Sequence, residues 1–184
     1  MTWRNLLQQS PLIGRAFEAR ARRANLVPEV RGGEEGWFEP SGLPSRPLQQ
    51  LWFATLRTEW RSLVVVPAHA GASAFPVARA LAAVGTVHTG ETVELVEGGA
   101  ISLEESRGIV EQMRAKLAGG GRAVVAIDPL VSSLSGLPVA LAADAVLVCV
   151  TLGVADLASA RRTIELLGEG RILGAVALRP EALR

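Results

Sequence analysis

Gly71, Ser73 and Asp128 are the residues whose types and positions could contact a phosphate group or a divalent cation. Gly71 and Ser73 stand in a turn of small residues, Pro67 to Ala74, between the apolar run Leu63–Val66 and the helix-forming run Val77–Ala83. Strand, small-residue turn and helix together present backbone N–H groups at a helix N-terminus, where an anion is favoured. Such a turn cleaves or transfers phosphate only with a Lys on the β/γ-phosphates and a Ser or Thr on Mg²⁺. At those positions the chain has Ala74, Phe75 and Pro76. Phe75 adds bulk and Pro76 removes a further N–H. Asp128 closes the apolar run Ala123–Ile127, where a parallel sheet presents side chains to a ligand. Without a Lys partner it is expected to cap the turn that follows it. Ser132, Ser133 and Ser135 come next with no neighbouring His to activate a nucleophile.

Elements that would position these residues alternate along the chain. A helix is expected over Pro47–Arg61, with Pro47 in its first turn and Trp52 in the core, where the indole N–H needs a partner. Thr86–His88 and Thr92–Val96 are short and β-rich, with Gly90 between them. Ser102–Glu105 is a capping box that opens a helix to Ala118, and Gly119–Gly121 is a flexible connection. Leu137–Ala143 reads as a short helix and Ala145–Val150 as a buried strand. Asp156 caps a helix to Leu167, and Arg171–Leu178 is the last strand. The alternation predicts an α/β fold with a mainly parallel sheet of about five strands, flanked by helices in a Rossmann-like three-layer arrangement.

Several runs carry a resemblance. Pro67–Ala78 is similar to the S-A-x-P-G-E-G-K-S-T-V-A loop of the bacterial tyrosine kinases of capsule and exopolysaccharide synthesis, relatives of the MinD/ParA ATPases. Ala68, Gly71, Val77 and Ala78 match; the second glycine falls on Ser73 and the lysine on Ala74. Phe53–Thr58 resembles F-R-T-L-R-T, and Val124–Pro129 resembles V-I-I-D-T-P-P. Ala143–Val148 resembles A-D-G-V-L-L-V, and Ile172–Val176 resembles V-L-G-V-V. The family's E-x-x-R-x-x-R assembly signature falls on Leu51, Ala54 and Arg57, which leaves Arg57 as the candidate oligomer contact. The resemblance runs from about Pro47 to about Leu178 and implies the P-loop NTPase arrangement. It also implies that Asp128 is a vestige of a metal or nucleotide contact. The family's D-x-D motif has no counterpart between Gly85 and Gly99, and its closing Asn is lost at Gly174–Leu178.

The chain contains no tyrosine and closes at Arg184, so it is expected to be neither substrate nor product of tyrosine self-phosphorylation. A formal net charge of +1 gives no global attraction for nucleic acid. The single cysteine, Cys149, lies in an apolar run and is expected to be buried and inert. His69 and His88 have no Cys or carboxylate cluster at ligand spacing, so no metal site is expected. No run reaches the ~20 apolar residues of a membrane span, and no signal-peptide pattern opens the chain. Residues 1–46 are expected to form a basic N-terminal helix and a Gly/Pro-rich linker, with Trp37 and Phe38 docking on an α/β domain at 47–184.

The expected protein has no catalytic residues and no cofactor; ATP and Mg²⁺ are not anticipated. Its expected role is pseudokinase-like and cytoplasmic, docked at the inner membrane on a polysaccharide co-polymerase or export protein, or on a homologous active kinase. The alternatives are an ATP-binding protein with an atypical phosphate loop and an unrelated small-molecule enzyme on a Rossmann-like sheet.

Overall fold

The computed structural model describes residues 29–31, 37 and 44–179. Six strands form one sheet: β1 (Glu29–Arg31), β2 (Ser62–Pro67), β3 (Val93–Gly98), β4 (Arg122–Ile127), β5 (Ala145–Thr151) and β6 (Ile172–Arg179). Their order is β1-β6-β5-β2-β4-β3, and every neighbouring pair is parallel. The helices are α1 (Arg46–Thr55), α2 (Phe75–Thr89), α3 (Leu103–Ala118), α4 (Leu137–Ala142) and α5 (Leu157–Leu167). This is the expected three-layer α/β fold.

The apolar runs explain the layers. In the central strands successive side chains point to opposite faces, and both faces are covered. Val65, Ala126 and Leu147 join Leu51, Trp52 and Leu81 of α1 and α2 in one buried cluster. Val64, Val125 and Val148 join Met113, Val139 and Ile164 of α3, α4 and α5 in the other. Chain order reverses at β2: the path leads from β2 outward to β3, and the later strands β5 and β6 lie on its other side. Open α/β sheets place their ligand sites at such a switch point, beyond the carboxyl ends of the strands.

Three expectations change. The sheet has six strands rather than five, because Glu29–Arg31, expected within a linker, pairs with Ala177–Arg179 at the sheet edge. Trp37, from the same segment, docks on the domain as expected: it is buried, and its carbonyl accepts from Ser45 N at 2.8 Å. Phe38 and the basic segment 1–28 lie outside the described residues. Helix α1 ends at Thr55 rather than Arg61. Thr86–His88 is not a strand but the last turns of α2, which runs to Thr89. Gly85 lies inside the helix, where a side chain would collide with Trp52. The helix is closed by Gly90, at φ 71°, whose N–H donates to Thr86 O.

The amino ends of the central strands are tied by polar contacts. The Arg122 guanidinium donates to Trp60 O and lies over the Trp60 ring, 4.9 Å from its centre. Arg61 donates to Leu117 O and Ser62 meets Asp144, which joins the starts of β2 and β5.

Candidate functional site

The chain leaves β2 at Pro67, and Ala68 N donates to Cys149 O at 2.8 Å, which keeps the turn beside the end of β5. Gly71 sits at φ 76° on the exposed crest of the turn. Ala74 is the N-cap of α2, Pro76 lies in its first turn, and no side chain caps the helix. Ser73 Oγ instead accepts from Phe75 N at 3.2 Å. Pro76 has no N–H to offer, and Ala78 N donates to Ala74 O at 3.0 Å, so the Ala cap withholds a side-chain acceptor from Val77 N alone.

The loop after β3 lies across from that helix end. Asp128, just past β4, accepts from Ala100 N through Oδ2 at 2.6 Å. It therefore braces the β3–α3 loop, not the turn that follows it as the sequence leads one to expect. Ala100 is held at φ 51°, a left-handed backbone that alanine adopts only at a cost. A Cβ on Gly99 would stand 3.0 Å from Asp128 Oδ1, so glycine lets the loop approach the carboxylate.

Between these elements is a cavity of about 180 Å³. Ser73, Ala74 and Phe75 line one side, and Glu97, Gly99, Ala100 and Asp128 line the other. The structure thus brings Ser73, Ala74, Phe75 and Asp128 together at the carboxyl ends of β2 and β4. Gly71 is not among the lining residues. Arg57 lies in the turn after α1 and is exposed, and it does not line the cavity. Glu97 is the residue that sequence reasoning missed. Its signal was its place at the end of β3, immediately before Gly98 and Gly99.

The lining includes two carboxylates and no Lys or Arg. Such walls favour a cation or a neutral group over an anion. Ser73 has no imidazole against it: His69 is buried with its Nδ1 unpartnered and does not line the cavity, and His88 bonds Trp52. Among the described residues no group of three or more His, Cys, Asp or Glu side chains could hold a metal ion, and no helix is long and apolar enough to cross a membrane. Cys149 lies in β5, where burial pushes its thiol far above the ordinary range, so it stays protonated and unreactive.

No protein-family model, curated protein or solved structure matches the chain.

Proposed function

We propose that this chain is a non-catalytic, pseudokinase-like protein of exopolysaccharide or capsule assembly. It acts by docking at the cytoplasmic face of the inner membrane, on a polysaccharide co-polymerase or export protein, or on a ring of active kinases. One observation carries the non-catalytic half of this reading. Ala74, which the resemblance aligns with the catalytic lysine, lines a cavity whose charged lining residues are Glu97 and Asp128.

Magnitudes favour the same side. A helix N-terminus attracts an anion by about 0.3–1 kcal/mol. A cavity of this volume is roughly 7 Å across, and a unit charge at ~4 Å contributes about 1 kcal/mol in water to ~4 kcal/mol near a protein surface. Two carboxylates therefore outweigh the end of α2 for a bare phosphate, and no Lys or Arg on the wall takes up the charge of a nucleotide's phosphates. Phosphoryl transfer depends on positioning and charge stabilisation, and this lining supplies no cation for either.

The docking half rests on the resemblance and has its own test. The tagged full chain is used to capture proteins from solubilised membranes of its own source, and they are identified by mass spectrometry. Recovery of a polysaccharide co-polymerase, an export protein or a tyrosine kinase of that system supports the role. Recovery of none of these while the chain is folded overturns it.

A further inference from the structure

Trp52 is fully buried in α1, yet its indole Nε1–H donates at 3.2 Å to Nδ1 of His88, an exposed residue in the last turn of α2. An indole nitrogen is a donor and never an acceptor. His88 Nδ1 must therefore carry a lone pair, which places the ring proton of the neutral imidazole on Nε2. We propose that this bond is a pH-sensitive latch between α1 and α2, closed while His88 Nδ1 is unprotonated and released when Nδ1 takes a proton.

The packing leaves the indole no room to turn away. A Cβ on Gly85 would lie 2.5 Å from Trp52 Cη2 and 2.7 Å from Val93 Cγ2, so ring, helix and β3 are already in close contact. Trp60 meets the indole edge-on with centres 5.6 Å apart, and its own Nε1 donates to Thr55 O at 3.1 Å. The Phe53 ring stands edge-on to His88 at 4.8 Å, on the solvent side. When Nδ1 gains a proton, two N–H groups face each other, and the buried donor loses its acceptor. The two N–H dipoles repel, so the imidazole turns out to solvent; an unpaired buried donor is costly, so the α1–α2 contact loosens until water reaches the indole N–H.

Charged groups on the surrounding elements are sparse. Arg46 opens α1, and Arg57 and Glu59 follow its end. Arg79 lies in the first half of α2, Glu91 follows Gly90, and Glu94 on β3 pairs with Lys116. Among the described residues no ion pair joins His88 to any carboxylate. α2 is also the helix whose first residues line the cavity, so the latch acts on the element that shapes that site.

The test uses the full chain labelled with ¹⁵N, with the Trp52 indole signal assigned through Trp52→Phe. From about pH 7.5 to about pH 5.5, where imidazoles change charge, hydrogen-exchange protection of that N–H is expected to fall about tenfold. His88→Asn, whose Oδ1 accepts in place of Nδ1 but does not titrate, is expected to keep protection constant. His69→Gln, which removes the other histidine, is expected to leave the fall intact. An equal fall in His88→Asn overturns the latch. The histidine ¹⁵N spectrum of the unaltered protein provides a second measurement independent of any variant. A neutral His88 bearing its proton on Nδ1 also overturns it.

Discussion

Ser62 and Asp144 exchange two hydrogen bonds across the starts of β2 and β5: Ser62 Oγ donates to Asp144 Oδ2 at 2.8 Å and accepts from Asp144 N at 2.9 Å. The same Oδ2 accepts from Arg61 N at 2.9 Å and Ser62 N at 2.8 Å. One carboxylate oxygen thus fixes the entry of the strand that leads to the candidate site. Burial works against its charge, but the Arg61 and Ser62 amides, the Ser62 hydroxyl and the Arg61 guanidinium together hold its carboxyl below the ordinary value of 3.8. A depressed carboxyl stabilises the fold above the unfolded value and loses that contribution as pH falls through the folded one. Asp144→Ala is expected to cost about 1–2 kcal/mol at neutral pH, since Asp144 is largely solvent-screened. In urea titrations the gap from the unaltered protein should close as pH falls below 3.8.

Gly85→Ala sets two effects of opposite sign against each other. Alanine gains about 1 kcal/mol of helix propensity over glycine. The new methyl would stand 2.5 Å from Trp52 Cη2 and 2.7 Å from Val93 Cγ2, inside a packed core. Overpacking of that kind costs about 1–3 kcal/mol. A net loss is expected, read as a lower denaturation midpoint, and a gain in stability would show that the Trp52 ring can move.

Ala100→Gly is expected to stabilise. A left-handed alanine costs about 1–2 kcal/mol, and the added chain entropy of glycine returns about 0.5–1 of it. A gain of about 0.5–1 kcal/mol follows while the Ala100 N–H bond to Asp128 is kept. The same titration checks it, and no change would mean that the loop relaxes φ without help.

The Cys149 thiol is expected to resist a thiol reagent in the native protein and to react once the chain is unfolded in denaturant. Rapid modification under native conditions would mean that β5 opens locally, since the thiol is buried and raised far above its ordinary value.

Much of the fold was legible because buried parallel strands read as continuous apolar runs: Leu63–Val66, Ala123–Ile127 and Ala145–Val150 each fall within an observed strand. The Ser102 and Asp156 caps were equally local signals, and both make the expected bonds, to Glu105 N and Ser159 N. What escaped depended on distant partners. Thr86–His88 is β-rich by composition but helical, because Val84 and Gly85 pack on the α1 side of the core. Three residues at Glu29 gain strand structure only by pairing with β6, far along the chain. Asp128 was recognisable as a candidate from its place after an apolar strand, and it lines the cavity. Its actual bond, to Ala100 N, joins loops 28 positions apart, and no local pattern announces it. Glu97 carried a local signal, its place before Gly98 and Gly99, but its role in the cavity wall depends on the facing turn at Ser73–Phe75.

The measurement that bears most directly on the proposed function is calorimetric titration of the purified full chain with ATP and with ADP, each with and without Mg²⁺. With Ala74 in place of a lysine and Glu97 and Asp128 on the cavity wall, no binding heat is expected at high protein concentration. Micromolar, Mg²⁺-dependent binding would contradict the non-catalytic reading, and its loss in Asp128→Ala would place the nucleotide at this cavity.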